Sequence, residues 1–407
     1  MEKGTFELLK LLDVQAIIQA NILTEVKKFA LRFKSPQYPV APIATQIKYL
    51  QKCQQKLPSF YQHACIIPPL SYEQCSSEQA AKLKNVSAGK NCLDLTCGLG
   101  VDSLYFADLF ESVISLEKDE TLAQIAQYNF QKIGKNNLKV IAKSAEEYVQ
   151  NYEGAPFDLI YLDPARRDEV GAKIFLPQDC SPNLVELLPK LLVIGKTVMA
   201  KLSPMYDVKE ALRQFQPYLK EIAVISIENE CKEVLLTFLQ EKQEKVVQKI
   251  ICHGKKLGTQ TFDIEQDSLR ENSPYKKGLA YSYLYEPDVA FYKCNALPQL
   301  FQGKEGYLTA NNGFFLSDHL LEHFAGRIFK IDAIQPFKPD LLKKALKKEK
   351  VKQANLLQRN FPLNSQQIQQ QLGIESGGGE EFLIFTTVFL PEKELISLKG
   401  KRVFLSN

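Results

Sequence analysis

The fold is decided by a glycine-rich stretch, Asp94-Leu95-Thr96-Cys97-Gly98-Leu99-Gly100-Val101-Asp102. It follows a short apolar run and leads into an amphipathic stretch, the pattern of a β-strand that turns into an α-helix. Glycine tolerates positive φ and has no Cβ, so Gly98 and Gly100 let the backbone pass close to a ligand. A dinucleotide-binding loop would have a third glycine at position 103, where this chain has Ser103. Alone, the two glycines would also fit a plain tight turn.

Short apolar runs alternate with amphipathic stretches from Asn91 onward, the pattern of a βαβ array. The last two runs are separated by five residues, too few for a helical crossover, so the seventh strand should be antiparallel to its neighbour. This α/β pattern resembles the seven-stranded, Rossmann-like sheet of class I methyltransferases. The predicted strands are Cys92–Leu95, Ser112–Leu116, Leu138–Ile141, Leu159–Leu162, Thr197–Ala200, Glu221–Ile227 and Glu233–Leu239, and the predicted helices are Asp102–Leu109, Glu120–Ile133 and Leu184–Ile194.

Polar residues follow the carboxyl ends of successive predicted strands, where ligands bind in doubly wound sheets. Glu117 comes seventeen residues after Gly100, where a carboxylate can accept hydrogen bonds from ribose hydroxyls. A helix N-cap or first-turn acid is the alternative for Glu117. With the two glycines, these features predict S-adenosylmethionine (SAM) as cofactor. The predicted cofactor-binding residues are Ser77, Asp94, Thr96, Gly98, Gly100, Asp102, Glu117, Lys118, Ser144, Ala145 and Asp163.

The acceptor side of the predicted site lies after the fourth and fifth strands. Asp163 is expected to face the transferring methyl group, and Arg166 and Arg167 could clamp an anion such as a phosphate. Ion pairs with Asp168 and Glu169 are the alternative for the two arginines. Lys201 either orients the substrate or caps its strand. The predicted catalytic residues are Asp163, Arg166 and Lys201, and Arg167 is predicted to contact the substrate.

The acceptor atom is the least determined part of the site. Asp163-Pro164-Ala165-Arg166 resembles the tetrad of RNA uridine C5-methyltransferases, which attack the base with a thiolate from a cysteine after strand five. Here that place holds Lys201-Leu202-Ser203-Pro204, without a cysteine. A nitrogen or oxygen acceptor is therefore expected. The Asp-Pro-Pro-Tyr signature of many exocyclic-amine methylases is also absent, which leaves the atom open.

Composition and charge narrow the class of protein. The chain has 407 residues, 45% of them hydrophobic and 24% charged, typical of a globular protein of two or three domains. No stretch approaches a membrane span, and no signal-peptide pattern is found at the N-terminus. Nine cysteines without a Cys-x-x-Cys pair predict reduced thiols and a cytoplasmic location.

The net charge of +4 is unevenly distributed. Between Lys338 and Arg359 there are seven lysines and one arginine against Asp340 and Glu349, a local charge of +6. Such a segment is typical of a phosphate-binding face, and a solvated helix surface is an equal alternative. The predicted RNA-binding lysines are Lys343, Lys344, Lys347 and Lys348.

Several motifs together resemble those of a bacterial family of SAM-dependent methyltransferases with a THUMP-like C-terminal domain. The resemblance covers most of the chain from about residue 65, and it implies a ferredoxin-like insert near 278–322 and RNA as substrate, because proteins with THUMP domains typically modify RNA. The motifs are Gln74-Cys75-Ser76-Ser77-Glu78, the stretch Asp94–Asp102, Asp163-Pro164-Ala165-Arg166-Arg167, Lys201-Leu202-Ser203-Pro204-Met205, Arg359-Asn360-Phe361-Pro362, Gly377-Gly378-Gly379-Glu380 and Thr386-Thr387.

The predicted architecture has four parts. Residues 1–88 have helical apolar spacing interrupted by prolines, and 89–242 form the catalytic domain. Residues 243–322 form a linker and the small ferredoxin-like domain, and 323–407 form the THUMP-like domain, so that both C-terminal parts are α+β.

Two further motifs have ordinary explanations. His319-Leu320-Leu321-Glu322-His323 fits an inverted zinc-protease pattern, but no third ligand of suitable spacing exists, so packed or solvent-facing helix histidines are expected and no metal is predicted. The tyrosines Tyr275, Tyr281, Tyr283 and Tyr285 could stack bases, with core packing the more common use.

The sequence therefore predicts a SAM-dependent methyltransferase that modifies a nitrogen or oxygen of tRNA or rRNA. One alternative keeps the enzyme but makes the substrate a small anionic metabolite or a protein. Another is a SAM-binding module without catalysis. The sequence leaves the oligomeric state open.

Overall fold

The computed structural model describes residues 1–165, 177–264, 281–310, 312–390 and 392–404, except for the side chain at 390. Two compact units are present in it. The first contains residues 1–222 and 233–246, and the second contains residues 223–232 and 247–407. Each unit is described by itself below.

The first unit begins with seven short helices. In the longest, α4, apolar side chains recur every three to four residues, and Ile43, Ile47, Leu50 and Cys53 are all buried, as the spacing predicts. Proline occupies the first position of α5 and of α6, where its missing N–H costs nothing. The helices are α1 (Lys3–Lys10), α2 (Leu12–Asn21), α3 (Val26–Arg32), α4 (Val40–Lys56), α5 (Pro58–Gln62), α6 (Pro69–Gln74) and α7 (Glu78–Lys82).

One buried side chain, Asn129, ties this helical segment to the rest of the unit. It accepts a hydrogen bond from the Ile66 backbone N–H at 2.8 Å and donates one to the Ile66 carbonyl at 2.9 Å. Because Asn129 is fully buried, these bonds satisfy polar groups that water cannot reach. The helices before residue 88 thus pack in the same compact unit as the sheet that follows.

The strands of the first unit lie in the order β3-β2-β1-β4-β5-β7, and β6 begins in the first unit and ends in the second. Strands β1 to β5 are parallel, and β7 runs antiparallel to β5, as predicted. The strands are β1 (Gly89–Asp94), β2 (Phe110–Leu116), β3 (Leu138–Ile141), β4 (Phe157–Leu162), β5 (Gly195–Leu202), β6 (Leu219–Ile227) and β7 (Glu230–Leu239). The helices are α8 (Val101–Phe106), α9 (Glu120–Ile133), α10 (Ala145–Gln150), α11 (Leu184–Ile194) and α12 (Val208–Phe215).

All seven predicted strands and three predicted helices are present, with shifts at their ends. One such shift lies between β6 and β7, where the expected five-residue connection is a two-residue turn. Glu228 and Asn229 both have positive φ, 52° and 62°, as a type I′ hairpin turn requires. Because neither position is glycine, the usual sequence signal for so short a turn is missing here.

The second unit contains a hairpin and an eight-stranded sheet. Strands β8 (Val247–Gly254) and β9 (Gly258–Ile264) form the antiparallel hairpin. The sheet has the order β11-β12-β10-β13-β17-β16-β14-β15. Its strands are β10 (Tyr283–Pro287), β11 (Tyr307–Leu308), β12 (Phe315–Ser317), β13 (Gly326–Pro336), β14 (Gln353–Gln358), β15 (Glu375–Ser376), β16 (Glu381–Leu390) and β17 (Glu392–Val403). The helices of this unit are α13 (Val289–Lys293), α14 (Leu297–Leu300), α15 (Pro339–Lys348) and α16 (Ser365–Leu372).

Strands from both sides of residue 322 share this sheet, because β10 and β13 pair directly. Buried residues of α15 and α16 pack on one side of it, with Leu342, Leu346, Ile368 and Leu372 against Phe385. After Phe329 the order of elements is β13, the basic helix α15, β14, α16, β15, β16 and β17. The predicted boundaries at 88, 242 and 322 stay predictions.

The helix predicted around His319 and His323 is wrong. In the structure these residues lie in a non-helical connection between β12 and β13, and His323 has a positive φ of 55°. His319 contacts Glu305 instead, with 3.0 Å between its Nε2 atom and a carboxylate oxygen. No group of three possible metal ligands is found among the described residues.

Of the four predicted tyrosines, Tyr275 lies outside the described residues. Tyr281 and Tyr285 are buried, and the Tyr285 hydroxyl donates to the His319 carbonyl at 2.6 Å. Core packing thus accounts for these two. Within the described part of the chain, every helix is too short or too polar to cross a membrane.

Candidate functional site

A cavity of about 580 Å³ opens in the first unit where β1, β2, β4 and β5 end. Its volume lies within the usual range for small-molecule sites. The segment between α6 and α7 also lines it, through residues such as Cys75 and Ser76. Nine of the predicted cofactor residues line this cavity: Thr96, Gly98, Gly100, Asp102, Glu117, Lys118, Ser144, Ala145 and Asp163. The other two, Ser77 and Asp94, do not.

The two glycines of the first loop are required for different reasons. Both have positive φ, 57° at Gly98 and 85° at Gly100. A Cβ at Gly100 would lie 2.1 Å from the Phe130 ring, whereas a Cβ at Gly98 would meet nothing within 4 Å. The close approach at Gly100 is therefore to a core side chain of α9, and only Gly98 leaves open space beside the cavity.

Glu117 is held in place by backbone N–H groups. Its carboxylate accepts from Gly98 at 2.9 Å and from Asp119 at 2.9 Å. Asp119, rather than Glu117, is the N-cap of α9, so the capping alternative for Glu117 does not apply. Burial raises the pKa of Glu117 against the effect of those two hydrogen bonds. Each carboxylate oxygen keeps a second lone pair that can accept from a ligand hydroxyl.

Asp94 lies beneath the loop rather than in the cavity. It is 1% exposed, and its carboxylate accepts from the Thr96 N–H at 2.9 Å and from the Ser103 hydroxyl at 2.5 Å. Burial raises the pKa of Asp94 to about 7. Ser103, which stands where a third glycine was considered, thus fastens α8 to the end of β1.

The two predicted serines are both helix caps. Ser77 accepts from the Ala80 N–H at 3.1 Å at the start of α7, and its neighbour Ser76 lines the cavity instead. Ser144 accepts from the Glu147 N–H at 3.1 Å at the start of α10 and also lines the cavity.

Asp163 and Lys201 form an ion pair at the ends of β4 and β5. The Lys201 ammonium donates to Asp163 and, at 2.9 Å, to the Ser76 hydroxyl. Burial opposes the charge on Lys201, but nearby carboxylates, led by Asp163, raise its pKa above the ordinary value. Lys201 is 5% exposed and does not line the cavity, so it acts on a ligand through Asp163.

A second set of buried charges was not predicted from the sequence. The Lys84 ammonium lies 3.0 Å from the Asp102 carboxylate and 2.7 Å from that of Glu233, and its side chain is 0% exposed. The Tyr161 hydroxyl also donates to Asp102, at 2.9 Å. Burial raises the pKa of Asp102, but Lys84 and Lys201 outweigh it and lower the pKa below its usual value.

Sequence offered no signal for this set. Lys84 follows a short helix and Glu233 was placed at the start of an apolar strand, positions where charged residues are ordinarily solvated. Only tertiary packing distinguishes them from surface residues.

Two thiols line the cavity, those of Cys75 and Cys97. Burial raises the pKa of both, so neither is a ready thiolate. The remaining seven cysteines do not line it.

Arg166 and Arg167 lie outside the described residues. The predicted RNA-binding lysines lie on α15 of the second unit, whose inner face buries Leu342 and Leu346. Lys344, Lys347 and Lys348 are exposed and Lys343 is half-buried.

Comparison with known proteins agrees with this geometry. Residues 86–285 match the model of a methyltransferase domain, and residues 326–396 match that of a THUMP-like domain. A crystal structure from Porphyromonas gingivalis W83, of a protein assigned as a methyltransferase, is 28% identical with a TM-score of 0.80, covering 96% of this chain and 98% of that one.

Curated relatives match shorter stretches. The tRNA/tmRNA (uracil-C(5))-methyltransferase of Actinobacillus pleuropneumoniae serotype 5b is 40% identical over 62 residues, 15% of this chain and 17% of that protein. The 23S rRNA (uracil(747)-C(5))-methyltransferase of Vibrio vulnificus is 29% identical over 159 residues, 36% of this chain and 40% of that protein. The chain therefore spans less than half the length of these relatives.

The fold and site are those of a class I SAM-dependent methyltransferase, and SAM is the cofactor, as predicted. The chain joins a methyltransferase domain to a THUMP-like C-terminal domain. The residues present fit SAM: the open space at Gly98 admits a ligand against the backbone, and Glu117 offers acceptors for ribose hydroxyls.

The different requirements at the two glycines give a direct test. Gly100→Ala should lower the free energy of unfolding by about 3 kcal/mol or more, because a positive φ and an overlap with Phe130 add. Gly98→Ala should cost only about 1–2 kcal/mol, from the positive φ alone, and should weaken SAM binding instead. Urea unfolding and calorimetric titration measure the two quantities. Equal losses of stability would contradict this account of the loop.

Proposed function

We propose that this enzyme transfers the methyl group of SAM to a nucleotide of tRNA or rRNA. The observation that supports RNA most directly is the pairing, in one chain, of a SAM site with a THUMP-like domain whose helix α15 exposes lysines. Closely spaced lysines suit a phosphate backbone, which supplies most of the sequence-independent affinity for nucleic acids. The names of the curated relatives, which specify tRNA, tmRNA and 23S rRNA, agree with this substrate class.

SAM supplies an already activated methyl group, so the protein's contribution is mainly orientation and electrostatics. Asp163 is held from two sides: its backbone N–H donates to the Thr96 hydroxyl at 2.6 Å, and its Oδ2 atom accepts from Lys201. This leaves the Oδ1 atom to accept a hydrogen bond from the acceptor group of the substrate. In this proposal Asp163 is the catalytic residue, and Lys201 positions it. Arg166 stays a predicted catalytic residue, and Arg167 stays a predicted substrate contact.

The acceptor atom is where the relatives disagree with the sequence prediction. Their names specify C5 of uracil, which conflicts with the predicted nitrogen or oxygen. Methylation at C5 requires a thiolate that adds to the ring, and the thiols lining this cavity have raised pKa values. That thiol chemistry supports nitrogen or oxygen, and the identity of the product decides between the two.

Nucleoside mass spectrometry of tRNA and rRNA, from wild-type and deletion cells, tests the proposal. One methylated nucleoside should be missing in the deletion, restored by the wild-type gene and not by Asp163→Asn, for which we expect at least about a hundredfold loss of rate. Loss of a nucleoside methylated on nitrogen or on the ribose oxygen would support the thiol argument. Loss of 5-methyluridine would make the nitrogen or oxygen prediction wrong. Identical profiles would contradict an RNA substrate.

The contribution of the α15 lysines to RNA affinity can be measured from RNA binding at several salt concentrations. A plot of the logarithm of the RNA association constant against the logarithm of the salt concentration has a negative slope. Replacing the four lysines with glutamine should make this slope less steep, by about 0.7–0.9 for each lysine that neutralises a phosphate in the wild-type complex. The affinity for SAM should be unchanged, since the cavity lies in the other unit. The substitutions are Lys343→Gln, Lys344→Gln, Lys347→Gln and Lys348→Gln.

A matched control removes the same charge from exposed lysines of the first unit. It should leave the salt dependence close to that of the wild type. An unchanged slope in the α15 variant, or an equal change in both variants, would contradict the assignment of α15. The control substitutions are Lys190→Gln, Lys220→Gln, Lys242→Gln and Lys245→Gln, all at exposed positions.

A further inference from the structure

Five ionisable side chains form one connected cluster at the cavity. Two of them, Asp102 and Asp163, line it directly. The others are nearly inaccessible to solvent: counted over the whole residue, the exposed fraction is 3% for Lys84, 5% for Lys201 and 2% for Glu233. Charges so far from water are poorly screened and act over longer distances than surface charges do.

The cluster contains more carboxylates than ammonium groups. Lys201 is paired with Asp163, and Lys84 lies between Asp102 and Glu233. Lys201 also interacts electrostatically with Asp102 and Glu233, so the two pairings form one system. Three carboxylates against two ammonium groups leave one negative charge in excess when all five side chains are ionised.

Asp94 adds to this excess. Its carboxylate accepts hydrogen bonds from Thr96 and Ser103, which are uncharged. Burial raises its pKa to about 7, and the negative charges of Asp102 and Asp163 contribute to that rise. Glu117 also lines the cavity and is half-buried, with its carboxylate bonded to two backbone N–H groups. Lys118 and Lys143 line the cavity too, but they are exposed and are screened by water.

An uncompensated negative charge in a poorly solvated place is costly unless a cation joins it. The cofactor of this enzyme contains such a cation, because SAM has a positively charged sulfonium. Its product, S-adenosylhomocysteine (SAH), has an uncharged thioether in the same position. The two molecules therefore differ by one positive charge and one methyl group, at the position that the proposed reaction puts beside Asp163.

We propose that the excess negative charge of this cluster makes the cavity select SAM over SAH, with Glu233 and Lys84 setting the preference without touching either ligand. The inference uses the SAM site and the place of Asp163 in the proposed reaction, and it does not depend on RNA as the substrate. Its consequence for turnover is that methyl transfer removes the charge that retains the cofactor, which favours release of the product.

Calorimetric titration of the full-length protein with SAM and with SAH gives the ratio Kd(SAH)/Kd(SAM). The titrations are made at about pH 8, above the ordinary range of carboxyl pKa values. Glu233→Gln should lower this ratio by about tenfold, because it removes one negative charge from a buried cluster in which charges are poorly screened by water. Lys84→Gln should raise the ratio by a similar factor, since it removes a positive charge. Both variants keep a side chain that can hydrogen-bond to the remaining partner.

The two variants should change Kd(SAH)/Kd(SAM) in opposite directions, which separates an electrostatic effect from a structural one. A distorted cavity would weaken the binding of both ligands and leave this ratio unchanged. Glu78→Gln is the matched control: this carboxylate is also buried, is bonded to Ser59 at 2.8 Å and 2.7 Å, and does not line the cavity. For this control variant, Kd(SAH)/Kd(SAM) should equal the wild-type value.

A measurement on the wild-type protein covers the case in which a variant fails to fold. Sinefungin has an ammonium group where SAM has the sulfonium, and it should bind more tightly than SAH. A ratio that stays constant in both cluster variants, or sinefungin binding no tighter than SAH, would overturn the inference. Failure of SAM to bind at all would instead refute the cofactor site itself.

Discussion

The hydrogen bond from the Gly98 backbone N–H to the Glu117 carboxylate is the interaction on which the site depends. It joins the loop after β1 to the end of β2 at 2.9 Å. Gly98 has a positive φ at this point of the loop, a conformation that glycine adopts without steric cost. The same loop is fastened to β4 through Thr96 and Asp163, and to α8 through Asp94 and Ser103. Three strand ends and one helix are thereby fixed around one cavity.

This arrangement separates the residues that build the site from those that face a ligand. Asp94 and Ser77 hold the loop and a helix in place, while Thr96, Glu117 and Asp163 present polar groups to the cavity. Pre-organisation of this kind matters for methyl transfer, because the chemistry depends on alignment more than on acid–base catalysis. The ion pair between the buried Lys201 and the half-buried Asp163 serves alignment, since it fixes a carboxylate that would otherwise rotate.

Local patterns in the sequence predicted the architecture of the first unit well. Apolar runs, turn residues and the short final connection were enough to predict seven strands and an antiparallel β7, because each depends on neighbouring residues. The sequence did not show why particular residues occupy their positions when the cause is a contact with a distant part of the chain. Gly100 is required by Phe130, thirty positions away, and Lys84 pairs with Glu233 across 149 positions. No local pattern reports such contacts.

Not every charged residue of the basic segment is available to bind a partner. Arg359 was counted within the basic segment, yet its guanidinium lies 3.6 Å from the Tyr292 ring centroid and pairs with the buried Glu286 at 3.5 Å. It therefore stabilises the second unit. The lysines of α15 remain on its outer surface because their neighbours Leu342 and Leu346 fill the core, a division that the helical period does predict.

The central claim is that Gly98 and Glu117 form the part of the cavity that holds the cofactor's sugar. Calorimetric titration of SAM into the wild-type protein and into Glu117→Gln, with the exposed Glu120→Gln as control, tests it most directly. The account predicts binding by the wild type and the control, and affinity at least about tenfold lower for Glu117→Gln, since the hydroxyls would lose a charged acceptor. No binding of SAM to the wild type, or equal affinity in all three proteins, would contradict it.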